Sequence, residues 1–153
     1  MKFKKIEKGH TKYEQEVWNL KERIRKEESI LNQSRRYFAR TYRQQDAYLY
    51  LNKQEVIGFG LVRSDGYISL LGVKKEKRDQ GIGKKLINKI EDDHERISCH
   101  TRSSNKNAIN FYQNLGFELK RTVDGYYKDG DTAYYLVKGK KDIKNKIKDI
   151  FRI

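Results

Sequence analysis

Residues 78–85 read Arg78-Asp79-Gln80-Gly81-Ile82-Gly83-Lys84-Lys85, two glycines set among cations where a helical pattern begins. Glycine inside a helix costs about 0.5–1 kcal/mol relative to alanine, so its placement here calls for a compensating role. A helix N-terminus presents free N–H groups and a partial positive charge, and glycines let a ligand come close to that backbone. Strand, glycine loop and helix in that order form a cradle for phosphate. The charges along the helix agree. Lys84 and Lys85 stand in its first turn, and Glu91, Asp92 and Asp93 near its end, the reverse of what the helix dipole favours. An anion bound at the N-terminus accounts for that order, and an ordinary surface helix with a flexible start is the alternative. The spacing matches neither the dinucleotide fingerprint nor the P-loop.

The elements that must carry this loop follow from periodicity. "FKKI" reads as a short first strand. From Thr11 to about Glu28, Tyr13, Val17, Leu20 and Ile24 fall at helical spacing. A second helix is expected over 31–43, with Leu31, Tyr37, Phe38 and Tyr42 as its apolar side. "AYLYL" and "VIGFGLV" read as a hairpin about Asn52-Lys53, and Asp65-Gly66 turns the chain into "YISLLGV". Residues 80–95 return to helical period with Ile82, Leu86, Ile87 and Ile90 on one face, and "ISCHT" is a strand. A helix over 105–115 is capped by Ser103, Ser104 or Asn105 and stopped by Gly116. "FELKRTV" and "TAYYLVK" are strands around an Asp129-Gly130 turn. The unit at 67–101 is expected to be a right-handed crossover. Neither a repeat nor a second domain is read from the pattern.

The 153 residues hold 35 Lys and Arg against 21 Asp and Glu, a net charge of +14. Such a surface attracts polyanions, so contact with ribosome or RNA is one expectation, and a lysine-rich solvated surface is the plainer one. No apolar run is long enough for a membrane span, and the N-terminus lacks the pattern of a signal peptide. The single Cys99 makes no internal disulfide, reads as a buried strand thiol and fits a cytoplasmic protein. His10, His94 and His100 do not have metal-ligand spacing, so no metal is expected, and no nucleophile motif is present. The last residues, 140–153, place Ile143, Ile147 and Ile150 at helical spacing among lysines. They read as a basic amphipathic tail that docks on its own domain, on RNA or on an anionic membrane.

Residues 78–83, together with "NKNAINFYQNLGF" at 105–117, resemble the GNAT superfamily of acetyl-CoA-dependent N-acetyltransferases. The resemblance implies an α/β (α+β) GNAT fold over residues 1–139. That fold is a mixed, mostly antiparallel sheet of six to seven strands with about four helices. A splayed parallel pair, 67–73 and 97–101, would take acetyl-CoA, with no metal. Backbone groups of Leu71 and Val73 would hold the pantetheine and acetyl end. Those of Arg78, Asp79, Gln80, Gly81, Ile82, Gly83 and Lys84 would hold the pyrophosphate. Asn105 would touch the pantetheine, and Tyr112 would protonate the leaving thiolate.

"LGFELKRTVDGYYKDGDTAYYL" further resembles the Nα-terminal acetyltransferases, including the ribosomal-protein-type enzymes, which implies that Tyr126 and Tyr127 contact the first residues of a peptide. Bacterial members carry a glutamate base two residues before an arginine. Here the arginine is Arg102 and His100 takes the glutamate's place, as in some eukaryotic-type members that pair it with a tyrosine at the position of Tyr67. A histidine with a pKa near about 6.5 suits an α-amine near about 7.7–8.0 better than a lysine near about 10.4. The expected reaction is direct attack of that amine on the thioester in a ternary complex, with His100, assisted by Tyr67, as base. Open alternatives are another amine (a small molecule, a lysine side chain or an aminoacyl-tRNA) and a non-catalytic RNA-binding module. Oligomeric state is not legible.

Overall fold

The computed structural model describes residues 1–139, and the tail expected over 140–153 lies outside the described residues. The chain divides into two compact units, Met1–Asp92 and Asp93–Ile153.

Unit 1 runs β1 (Lys2–Ile6), α1 (Glu14–Glu28), α2 (Arg35–Gln44), β2 (Asp46–Asn52), β3 (Glu55–Val62), β4 (Ile68–Val73) and α3 (Ile82–Asp92), with a 3-10 turn at Lys75–Lys77. Its strands form an antiparallel sheet in the order β1-β2-β3-β4. Helices cover both faces, which is why β2 and β3 are nearly continuous apolar runs rather than alternating ones. On one face Val17, Leu20 and Ile24 of α1 and Phe38 and Tyr42 of α2 join Ala47, Leu49, Leu51, Phe59 and Leu61 in a core. The other face receives α3, whose Ile82, Leu86, Ile87 and Ile90 are all buried. That approach is close because β3 presents glycines. A Cβ on Gly58 would lie 2.9 Å from Ile82 Cγ2 and 3.3 Å from Leu86 Cδ1, and one on Gly60 would lie 3.2 Å from Ile90 Cδ1.

The second helix departs from expectation. It starts at Arg35, with Ser34 Oγ accepting the Tyr37 N–H at 3.2 Å as its cap. Leu31 lies outside it at φ 56°, and Tyr37 is 41% exposed rather than on the apolar side. The connection before it is held by Lys21, which is fully buried. Its ammonium donates to Glu22 at 2.9 Å and to the Gln33 carbonyl, and sits 4.6 Å from the Trp18 ring centroid. The β2–β3 turn falls one residue later than expected, with Lys53 at φ 59°.

Unit 2 contains β5 (Arg96–Arg102), α4 (Lys106–Asn114), β6 (Glu118–Val123) and β7 (Ala133–Gly139), with β7 central in an antiparallel sheet β5-β7-β6. Asn105 is the cap of α4, its Oδ1 accepting the Ala108 N–H at 3.1 Å. Gly116 at φ 95° ends the helix, as expected. The described residues therefore hold seven strands and four helices in the expected order. All ladders are antiparallel, and the strands expected to form a parallel pair, β4 and β5, belong to different sheets.

Replacing Gly58 with valine is expected to cost about 1–3 kcal/mol through overpacking against Ile82 and Leu86. Urea unfolding measures it, and unchanged stability would mean that α3 can move away from the sheet.

Candidate active site

The loop from 74 to 81 is shaped by its backbone and tied by charge. Asp79 and Gly81 take positive φ, 61° and 80°, and a Cβ at Gly81 would meet nothing within 4 Å. The space beside Gly81 is open, and the first α3 hydrogen bond runs from Lys85 N–H to the Gly81 carbonyl at 3.0 Å. The N–H groups of Ile82, Gly83 and Lys84 thus precede the helical ladder. Ile82 itself is buried and anchors this turn to the sheet.

The cations of the loop do not all face outward. Arg78 holds Glu28, at the end of α1, in a bidentate ion pair, and its Nε donates to the Val73 carbonyl at 3.1 Å. That pairing keeps the Glu28 carboxyl below its ordinary range. Lys74 pairs with Glu55 and Arg23 with Glu76. The Arg78 backbone N–H bonds back to the Lys75 carbonyl at 3.3 Å, and Gln80 Nε2 donates to the Glu76 carbonyl at 3.4 Å. The sequence offers Arg78 and Gln80 only as backbone N–H donors, and the structure adds these side-chain contacts.

The Lys74 N–H donates to the Ile57 carbonyl at 2.8 Å. By the two-residue alternation of an antiparallel ladder, Gly72 also faces β3, and Leu71 and Val73 turn their backbone groups to the side of β4 that carries no ladder. These are the groups expected to meet pantetheine. Tyr67 lies just before β4 in the turn from β3. Its N–H bonds to Asp65 Oδ1 at 3.2 Å and its ring lies 4.6 Å from the Arg63 guanidinium.

In unit 2, His100 of β5 faces Tyr135 of β7, which faces Arg121 of β6. The His100 ring stacks on Tyr126 at 4.5 Å and 11° and meets Tyr135 at 4.9 Å. Burial, then the nearby Arg121 charge, lowers its pKa below the ordinary 6.5. Tyr126 meets Tyr127 edge-on at 5.0 Å. Tyr127, whose pKa burial pushes to about 12, lies 4.1 Å from the Arg102 guanidinium.

Arg102 fastens the loop that carries both tyrosines. Its Nη1 donates to Asp129 at 2.8 and 3.0 Å and reaches Asp131 at 3.5 Å. Asp131 also accepts from Ser103 Oγ at 3.2 Å and Ser104 Oγ at 2.8 Å. Spacing in the sequence carried no signal for this network.

Tyr112 is buried on α4, edge-on to Phe117 at 5.0 Å, and its hydroxyl is in hydrogen-bond contact with the Cys99 thiol. Cys99 is itself buried, which pushes its pKa to about 12 and leaves it a neutral thiol. The structure thus gathers His100, Tyr126 and Tyr127 into one cluster and sets Tyr112 on the neighbouring helix. The loop, Leu71, Val73 and Tyr67 belong to unit 1. Among the described residues, no group of three or more His, Cys, Asp or Glu is placed to hold a metal, and no helix is long and apolar enough to cross a membrane.

Comparison with known proteins gives this geometry a family. The chain is 36% identical to human N-alpha-acetyltransferase 30 over 76 residues, 46% of this chain and 21% of that protein. It therefore spans about a fifth of that relative's length. In structure it resembles the ribosomal-protein-S18-alanine N-acetyltransferase of Escherichia coli, with a TM-score of 0.73 and 17% identity over 90% of this chain and 94% of that one. It also resembles Arabidopsis thaliana Naa50 in complex with the bisubstrate analogue CoA-Ac-MVNAL. There the TM-score is 0.69, with 23% identity over 91% and 99% of the two chains. At these identities the structural likenesses speak for the fold. A family model for the acetyltransferase (GNAT) domain matches residues 11–132, across both motifs and the His100 strand. With most of its length inside that match, the chain belongs to the GNAT acetyltransferase domain family.

Proposed function

We propose that this protein transfers acetyl from acetyl-CoA to the N-terminal α-amine of a protein or peptide. The observation that carries this reading is His100, stacked on Tyr126 beside the Tyr126-Tyr127 loop, with its pKa held below the ordinary value. Human N-alpha-acetyltransferase 30 and the peptide-CoA analogue held by the Arabidopsis relative support the choice of acceptor.

The cosubstrate rests on unit 1. The open space beside Gly81 and the N–H groups opening α3 suit a pyrophosphate. The backbone of Leu71 and Val73, turned away from β3, suits pantetheine. Arg78 acts through Glu28 as a brace of the loop rather than as a phosphate ligand. Asn105 caps α4 through its oxygen and keeps its amide N–H groups for pantetheine.

The amine loses its proton to His100, directly or through water with help from Tyr67, and attacks the thioester carbon. A backbone N–H of β4 steadies the oxyanion, the C–S bond breaks, Tyr112 delivers its proton to the thiolate, and its phenolate then takes the remaining proton from the acylated nitrogen. The neutral imidazole is the active form of the base. Because its pKa is lowered, that form persists to more acidic pH than for an ordinary histidine. The net charge of +14 also suits docking near ribosomal RNA, where a nascent N-terminus emerges.

Three measurements test this reading. Gly81→Asp places a carboxylate at a positive φ against the pyrophosphate, and calorimetry should show acetyl-CoA binding weakened at least about tenfold, a free-energy loss of about 1.4 kcal/mol. Unchanged affinity would remove the loop from the site. Tyr112→Phe should lower kcat by about 10²–10⁴-fold with acetyl-CoA affinity preserved, the range of a general acid–base group; full turnover would exclude Tyr112 as the acid. In the wild-type pH–kcat profile the acidic limb should fall below about pH 6.5, the unperturbed histidine value. It should vanish in His100→Ala and move to lower pH in His100→Glu. An unaltered profile in His100→Ala would make His100 a structural residue.

A further inference from the structure

Five contacts join six side chains of unit 2 into one array. The Arg102 guanidinium lies 4.1 Å from the Tyr127 ring, Tyr127 meets Tyr126 at 5.0 Å, and Tyr126 stacks on His100 at 4.5 Å. His100 meets Tyr135 at 4.9 Å, and the Arg121 guanidinium lies 4.5 Å from the Tyr135 ring. A cation thus stands at each end, with His100 in the middle.

The two ends differ in charge balance. Arg102 is neutralised by Asp129 and Asp131. Arg121 has no carboxylate within ion-pair distance among the described residues. The adjacent Lys120 pairs with Glu118 at 3.0 Å, so that carboxylate is already engaged. Arg121 also lies in β6, an edge strand of its sheet, five of whose six residues are exposed.

We infer that Arg121 selects acceptors carrying an aspartate or glutamate at their second or third residue. This rests on the peptide α-amine reading proposed above. A guanidinium stacked on a ring is pre-oriented, and its fork of N–H donors matches a carboxylate better than any neutral side chain does. Reach agrees with position. Arg121 lies one ring, Tyr135, beyond the His100 that receives the amine's proton. Extended peptide advances about 3.3–3.6 Å per residue, so a side chain one or two residues along the acceptor spans that interval. A docked carboxylate also offsets the Arg121 charge that opposes protonation of His100 during the reaction. Arg102 cannot select in this way, since the protein's own aspartates already fill its place.

The test compares peptides beginning with serine that carry aspartate, asparagine or lysine at position two or three. CoA release is followed at low ionic strength, with wild type, Arg121→Gln and Arg121→Glu. Wild type should prefer aspartate over asparagine by about fivefold in kcat/KM, the reach of an exposed ion pair. Arg121→Gln should abolish the preference, and Arg121→Glu should turn it toward lysine. Acetyl-CoA affinity should stay constant across the three proteins. Equal use of aspartate and asparagine peptides by wild type, or a preference that survives in Arg121→Gln, overturns the inference and leaves the α-amine reading standing. If wild type binds acetyl-CoA but acetylates none of the peptides, both fall together.

Discussion

The contact of Ile82 with Gly58 is the constraint on which the candidate cofactor loop depends. Ile82 is 1% exposed and opens α3, and a side chain at Gly58 would overlap its Cγ2 methyl. With the helix seated so closely, its first turn cannot drift from the sheet, and the N–H groups of that turn keep one direction. Gly81, on the other side of Ile82, is open to solvent and bends the backbone through positive φ. A buried anchor between two glycines thus gives a helix start that is rigid below and accessible above. That combination suits an anion bound by backbone rather than by flexible side chains.

Charge closes the loop from outside. Glu55 of β3, Arg23 and Glu28 of α1, and Lys74, Glu76 and Arg78 of the loop make three ion pairs. Surface pairs are individually weak. The Arg78–Glu28 pair is less exposed and bidentate, and Arg78 adds a bond to the Val73 carbonyl. A mutation in α1 can therefore reach the loop without touching any ligand. Lys21 does comparable work for the segment between α1 and α2, where its buried ammonium satisfies the Gln33 carbonyl.

In unit 2 the organising element is stacking rather than ion pairing. His100 is gripped by rings on both sides. Partial burial and a neighbouring guanidinium lower its pKa, so the imidazole is neutral at physiological pH. The Arg102–Asp129–Asp131 network holds the tyrosine loop against that strand.

Much was legible without coordinates. Helix and strand order, a cap among Ser103, Ser104 and Asn105, the Gly116 stop and the glycine loop all depend on residues within a few positions of each other, where periodicity, capping and positive φ leave a direct mark. The second helix starts later than its apolar spacing predicts, because Leu31 continues that spacing although its backbone lies outside helical geometry. The motif pairing at 78–83 and 105–117 sufficed for the family. What the sequence could not disclose is partner choice. Arg78 meets a glutamate 50 residues away and Arg102 an aspartate 27 residues away. His100, Tyr126, Tyr135 and Arg121 come together only through the register of β5, β7 and β6. A charge or ring in a sequence has many equivalent candidates for a neighbour, and only the packed sheet, by fixing which side chains share a face, selects among them.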